Sequence, residues 1–174
     1  MENTVSSRII YEGKHFTFKT DTVILENGRK TVRDYVEHPG AVAIIAVDDD
    51  EILLVNQFRY ATGMQLLEIP AGTLEHGEDS QSCAIRELKE ETGYVASDWK
   101  KLLSCFTAPG YSSEVIHIFV AQGLTYLGAR PEEDEFIRVE RVNFNDVLDL
   151  IEKNIIKDSK TISGILSYLT RSKI

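Results

Sequence analysis

A dense group of acidic residues on one predicted helix constrains this chain more than any other feature of its sequence. The run from Asp79 to Gly93 has no interior Pro or Gly, and its acidic start and terminal Gly are typical helix boundaries. At about 100° per residue, Glu87 and Glu91 share one helical face and Glu90 lies beside them. A solvated helix usually alternates acids with bases, so this concentration of carboxylates suggests a binding site for a hard cation.

The acidic face has two interpretations. Carboxylates this close repel one another, and a divalent cation removes that repulsion. Ligands that are all oxygen suit Mg²⁺ or Mn²⁺ rather than zinc. The alternative is an exposed acidic helix that binds no metal, and the cluster by itself does not decide between the two.

The longer segment, residues 72–94, contains a spaced pattern. It reads Gly, five residues, Glu, seven residues, then Arg-Glu-Leu-x-Glu-Glu-x-Gly and Tyr94. This pattern resembles the Nudix box, and Tyr94 is its one departure, because an aliphatic residue is commoner there. The resemblance implies an α+β fold, a Nudix-type α/β/α sandwich, and cleavage of a nucleoside diphosphate linked to another group. It also implies that Glu78 and Arg86 hold the loop and the helix together.

The same resemblance implies a metal cofactor and a set of ligands. The cofactor is expected to be Mg²⁺, with Mn²⁺ as the alternative. The implied metal ligands are the Ala71 carbonyl and the side chains of Glu87, Glu90, Glu91 and Glu135. A second acidic cluster, at residues 131–136, is predicted to lie in a loop. The resemblance implies that this loop supplies the base that activates water, either Glu133 or Glu135. Glu91 is the third residue assigned to catalysis.

Segments outside the box resemble the ADP-ribose pyrophosphatase subfamily. They are residues 38–42, 56–59, 67–72 and 107–114, so the resemblance covers about residues 14–170. Ala108 stands where the subfamily has Ser before Pro. The implied reaction is Mg²⁺-dependent hydrolysis of ADP-ribose, and of other ADP-sugars as an extension, to AMP and ribose 5-phosphate. The alternatives are a Nudix pyrophosphatase for a different nucleotide or nucleotide sugar, and a non-catalytic ADP-ribose sensor.

The subfamily resemblance also implies substrate contacts. Arg59 matches an arginine that contacts the phosphates, although it can also be read as a surface arginine paired with a nearby acid. Arg33 and Asp34 occupy the place of an Arg-Glu pair that reaches the adenine across a dimer. The shorter Asp side chain changes the hydrogen bonds available there.

Two aromatic residues and one loop complete the predicted substrate site. Phe16 and Phe18 lie in the segment that supplies an adenine-stacking side chain in relatives, and both also suit a hydrophobic core. Gly110 and Glu114, in the Pro-containing loop after the helix, are assigned to substrate binding by the same resemblance.

Composition limits the partners. The 174 residues carry a net charge of −9, from 28 acidic and 19 basic side chains, which argues against a nucleic-acid partner. The two cysteines form no CxxC pair, and no segment resembles a signal peptide or a membrane span. We therefore expect a cytoplasmic protein that binds a small-molecule nucleotide sugar and no membrane.

Strand patterns predict the organisation of the chain. Alternating segments and a turn at residues 26–29 predict an N-terminal antiparallel β segment over residues 1–37. Residues 38–174 are predicted to form the Nudix domain, with further strands at 41–47, 52–58, 66–69, 101–106, 115–121 and 136–142, and with helices at 145–151 and 161–169. The subfamily resemblance implies a homodimer that exchanges its N-terminal strands.

Overall fold

The computed structural model describes residues 1–128 and 136–171. Two sheets and three helices make up this part of the chain. The strands are β1 (Asn3–Glu12), β2 (Thr17–Ile24), β3 (Lys30–Glu37), β4 (Ala41–Asp48), β5 (Glu51–Arg59), β6 (Met64–Glu68), β7 (Ala71–Thr73), β8 (Tyr94–Phe106), β9 (Val115–Tyr126) and β10 (Arg138–Asn143). The helices are α1 (Ser80–Thr92), α2 (Phe144–Glu152) and α3 (Ser159–Arg171).

The first three strands form a separate antiparallel sheet in the order β1-β2-β3. The predicted turn joins β2 to β3, and Gly28 occupies it with a φ of 79°, which a glycine adopts without strain. Every residue of β1 is exposed, including Val5, Ile9 and Tyr11. This sheet contacts the rest of the chain where Val36 donates a backbone hydrogen bond to the Tyr111 carbonyl, at 2.8 Å.

The second sheet has the order β10-β5-β4-β9-β8, with β6 paired to β5 and β7 paired to β4. Only β4 and β9 pair in parallel among the described strands. The predicted apolar run in β4 is buried along seven consecutive residues, 41–47, as expected for a central strand covered on both faces.

Alternate residues of β4 enter two hydrophobic cores. One core contains Ile45 with Ile165 of α3 and Val147 of α2. The other contains Ile44 with Leu88 of α1. Helices therefore cover both faces of the central sheet, and the predicted α+β sandwich is confirmed.

Three local predictions differ from the structure. Strand β8 begins at Tyr94 rather than at Lys101, and pairs with β9 from there. The strand predicted from Phe136 begins at Arg138. The spacing of Ala84, Ile85 and Leu88 along α1 also predicts that all three pack on a core, but Ile85 is 41% exposed, because the buried stripe of α1 is the one that Ala84 and Leu88 occupy. Within residues 1–128 and 136–171, no helix is long and apolar enough to cross a membrane.

Candidate active site

Helix α1 is fixed at both ends by its own sequence. Asp79 caps the N-terminus, and its carboxylate accepts hydrogen bonds from the backbone N–H groups of Gln81 and Ser82, at 3.0 and 3.1 Å. Gly93 ends the helix in the left-handed conformation, with a φ of 77°, and donates to the Lys89 carbonyl. The predicted boundaries are confirmed, so the acidic face has a defined position.

Arg86 connects the acidic residues around it. Its Nε and Nη2 donate to the two oxygens of Glu78, both at 3.0 Å. Its Nη1 donates to Glu87 at 2.7 Å and to Glu90 at 3.0 Å. The guanidinium lowers the pKa of Glu78 to about 2, mainly through these hydrogen bonds. The structure therefore contains the predicted link between Glu78, at the end of the loop, and the helix.

The other box carboxylates lie against the start of the loop. Glu91 is 4% exposed, and its Oε2 accepts a hydrogen bond from the Ala71 N–H at 2.9 Å. The Glu87 carboxylate packs directly on Gly72, where a β-carbon would lie 1.9 Å from it. Glycine at residue 72 permits this approach, because any larger residue would displace the Glu87 carboxylate.

The donor chemistry of this region fits a hard divalent cation. Glu87, Glu90 and Glu91 supply only oxygen donors, and Arg86 is the main positive charge bonded among them. Within the described residues, no three acidic, His or Cys side chains already surround a common point. The three box glutamates are directed to different partners, since Glu87 and Glu90 bond Arg86 whereas Glu91 bonds the loop backbone.

Arg59 fits both of its predicted roles, an ion pair with a nearby acid and a position open to a phosphate. Its Nε and Nη2 donate to the two carboxylate oxygens of Glu68, each at 2.8 Å, so it is paired with a nearby acid. Its side chain nevertheless stays 39% exposed and lines the cavities beside the box. The hydrogen bonds to Glu68 raise the pKa of Arg59, so the guanidinium stays charged.

Two cavities meet at Arg59 and Gly72. The larger, of about 680 Å³, contains Glu87 and Glu90 on one side and two residues of the β1–β2 turn, Lys14 and His15, on another. The smaller, of about 350 Å³, is lined by Ala71, Thr107, Glu114, Lys160 and others. The box, Arg59 and Glu114 thus border one continuous region. Within it, Glu114 accepts a hydrogen bond from the Thr107 hydroxyl at 2.6 Å.

The predicted adenine-binding residues lie farther from the box. Arg33 is bonded to Glu2 within the N-terminal sheet, at 2.6 and 3.0 Å. It lines a shallow cavity of about 290 Å³ together with Asp34 and Gly110. This cavity contains no box residue, so a single chain does not bring these three residues to the acidic face.

The two predicted stacking residues are not core residues. Phe16 is 46% exposed and lines a groove with Lys14 and His15, which also border the larger cavity. Phe18 is partly buried in β2, opposite Val36, and lies outside both hydrophobic cores. Of the two, Phe16 is the one placed next to the candidate site.

Several residues of the site were not predicted. Lys14, His15 and Lys160 line the cavities without belonging to any motif identified in the sequence. Glu68 lies in a segment that resembles the subfamily, but its pairing with Arg59 follows from the β5–β6 hairpin and carries no local signal. The predicted base residues, Glu133 and Glu135, lie outside the described residues.

Comparison with known proteins places this geometry in a family. The NUDIX domain family model matches residues 37–163. The chain is 41% identical over 167 residues to an ADP-ribose pyrophosphatase of Bacillus subtilis, covering 94% of this chain and 90% of that protein. It is 40% identical, with the same coverage, to a methanol dehydrogenase activator of Bacillus methanolicus.

A solved structure agrees with these matches. The crystal structure of an ADP compounds hydrolase superposes with a TM-score of 0.88 and 25% sequence identity, covering 99% of this chain and 94% of that one. The capped helix, the box residues on its face and the sandwich around them therefore have one common explanation: the chain belongs to the Nudix family.

Proposed function

We propose that this protein is a Nudix hydrolase that cleaves ADP-ribose to AMP and ribose 5-phosphate. The observation that carries the proposal is the complete box: Glu87 and Glu90 line a cavity together with Arg59, and Glu91 accepts a hydrogen bond from Ala71, which lines the same cavity. The ADP-ribose pyrophosphatase from Bacillus subtilis, 41% identical over nearly the whole chain, supports the choice of substrate.

Nudix hydrolases generally use divalent metal ions, and we propose Mg²⁺ here, with Mn²⁺ as the alternative. When bound, the ion neutralises phosphate oxygens and makes water a stronger acid. The residues proposed to hold it are the Ala71 carbonyl, Glu87, Glu90, Glu91 and Glu135. The exclusively oxygen donors support this assignment.

Arg59 is proposed to bind the diphosphate. Two of its nitrogens are held by Glu68, which fixes the plane of the guanidinium, while part of the group stays exposed to the cavity. A planar donor fixed in advance binds a phosphate oxygen with little loss of side-chain entropy. It also adds positive charge where negative charge increases during cleavage.

The proton acceptor is proposed to be Glu133, with Glu135 as the alternative. Both belong to the acidic segment that precedes β10 in the sequence, and a carboxylate there would take the proton of the attacking water. We propose Glu133→Gln and Glu135→Gln as the pair of variants that identifies the base. The base variant is expected to lose the acidic limb of the pH–rate profile, and the other variant is expected to retain it.

Recognition of the adenine is proposed to require two copies of the chain. Phe16 or Phe18 would stack on the base, while Arg33 and Asp34 would bind it from the second copy, and Gly110 and Glu114 would also contact the substrate. The division into an N-terminal β segment, residues 1–37, and a Nudix domain, residues 38–174, is proposed with it. The separate sheet β1-β2-β3 and its fully exposed first strand support an exchange of strands in a homodimer.

A substrate panel tests the proposed function. Wild-type protein with Mg²⁺ is given ADP-ribose, ADP-glucose, GDP-mannose, diadenosine polyphosphate and 8-oxo-dGTP, and products are resolved by chromatography. Preferential release of AMP from ADP-ribose is expected. Preferential turnover of another compound would refute the substrate and retain the family chemistry. Binding of ADP-ribose without turnover of any compound would favour the sensor.

A further inference from the structure

Glu68 is a buried carboxylate held between two cations. It is 1% exposed, and its two oxygens accept hydrogen bonds from Arg59 at 2.8 Å each. The Nζ of Lys160, from the first turn of α3, also donates to Glu68 Oε2. Lys160 is itself largely buried, with 11% of its side chain exposed. The chain therefore places a second cation behind the arginine assigned to the phosphates.

The charges explain why a second cation matters. Burial by itself raises the pKa of Glu68, but the hydrogen bonds from Arg59 and the charge of Lys160 together lower it below its usual value. The carboxylate stays ionised, so on its own it would cancel the positive charge that Arg59 presents to an anion. Lys160 bonds to the same carboxylate and offsets part of that cancellation, since its ammonium also contacts Asp158.

Lys160 is held in this position by its own helix. Asp158 lies 3.1 Å from its Nζ and also accepts hydrogen bonds from the N–H and hydroxyl of Thr161, at 2.9 and 2.6 Å. The Thr161 hydroxyl in turn accepts a hydrogen bond from the Ile69 N–H at 2.9 Å. The first turn of α3 is thus hydrogen-bonded to Ile69, just before the box begins at residue 72.

Lys160 and Arg59 also line the same cavity. The smaller cavity, of about 350 Å³, contains both side chains next to Ala71 and Gly72. We infer that Lys160 is a positioning residue for phosphate recognition: through Glu68 it keeps Arg59 oriented toward a bound diphosphate, and it offsets the negative charge of Glu68. The inference rests on the proposed function in one respect, namely that a nucleoside diphosphate occupies this cleft.

The test is a double-mutant cycle on the affinity for ADP, measured by calorimetry in the presence of Mg²⁺. The cycle combines Lys160→Met with Glu68→Gln, because comparison of the two backgrounds isolates the coupling between these two side chains. Lys160→Met is expected to weaken ADP binding about tenfold in the wild-type background and less than twofold in the Glu68→Gln background. Lys157→Met, which removes an exposed lysine three residues earlier, is the matched control and should leave the affinity unchanged.

Two further variants separate charge from folding. Lys160→Arg should retain ADP affinity within about threefold because it keeps the charge. Lys160→Gln keeps a hydrogen-bond donor but no charge, and it should weaken ADP binding as much as Lys160→Met does. If the methionine variant does not fold, the glutamine variant takes its place in the cycle. Thermal unfolding of each variant shows whether it is folded at the temperature of the binding measurement, and only folded variants are compared.

The outcomes distinguish this inference from the proposed function. Equal weakening by Lys160→Met in both backgrounds would overturn the inference, because Lys160 would then act without Glu68. Unchanged affinity in Lys160→Met, or no ADP binding by the wild type, would overturn it as well. Failure of the wild type to hydrolyse ADP-ribose, with the coupling between Lys160 and Glu68 intact, would refute only the proposed function.

Discussion

Replacement of Gly72 by alanine is expected to damage catalysis far more than folding. A β-carbon at residue 72 would lie 1.9 Å from both Cδ and Oε1 of Glu87, whereas ordinary contacts begin near 3.4 Å. The backbone at Gly72 is not in the left-handed region, so the alanine itself introduces no backbone strain. The carboxylate is the far end of a flexible side chain, and it is therefore the group that moves.

The size of the effect follows from that displacement. Glu87 must withdraw by more than about 1 Å, and a misplacement of this size in an active site lowers the rate about a hundredfold. It also disturbs the 2.7 Å hydrogen bond from Arg86. We expect kcat/KM for ADP-ribose to fall about a hundredfold, and stability to fall by about 1–2 kcal/mol, or a few degrees in Tm.

The assay compares Gly72→Ala, Glu87→Gln and the double variant by steady-state hydrolysis and thermal unfolding. If the alanine acts by displacing Glu87, it should cost little additional activity once Glu87 is already a glutamine. Activity of Gly72→Ala within threefold of wild type would show that displacement of Glu87 does not limit catalysis. Global unfolding of this variant would also refute the prediction, because the contact would then be structural.

Three further predictions concern the loop and helix. Glu78→Gln should destabilise the protein at neutral pH by at most about 3 kcal/mol, since the pKa of Glu78 is lowered to about 2 by Arg86. This contribution is present above about pH 4.5 and is lost as the pH falls toward 2, so acid unfolding of wild type and variant should converge there. Asp79→Ala should reduce the free energy of unfolding by about 1 kcal/mol through loss of the N-cap, as measured in urea, and an unchanged value would contradict the capping geometry. Burial raises the pKa of Cys83 to about 12, so this thiol should react with Ellman's reagent at pH 8 only after unfolding; rapid labelling of Cys83 in the native protein would contradict its burial.

Local signals in the sequence were sufficient for the helix that carries the site. Asp79 and Gly93 provide caps whose chemistry does not depend on the rest of the chain, so the boundaries of α1 were predicted correctly. The buried run of β4 was equally clear, because seven consecutive apolar residues suit a strand covered on both faces.

Features that depend on distant partners were not readable in the same way. Residues 94–100 mix Tyr, Ser, Asp and Lys, and they form a strand because β9 pairs with them. The ion pair between Lys160 and Glu68 joins residues 92 positions apart, and no spacing rule predicts such a contact. The turn that carries Lys14 and His15 lines the same cavity as Glu87 and Glu90, which come much later in the chain, and no local pattern predicts that proximity.

Hydrolysis of ADP-ribose at the box is tested most directly by Mg²⁺-dependent release of AMP by the wild type and by Glu91→Gln. Glu91 is buried and bonded to the loop, so its glutamine variant retains the shape of the site and loses one negative charge. Release of AMP is expected to require Mg²⁺ and to fall at least about a hundredfold in the variant. Equal turnover by both proteins, or turnover that persists in EDTA, would contradict hydrolysis at the box.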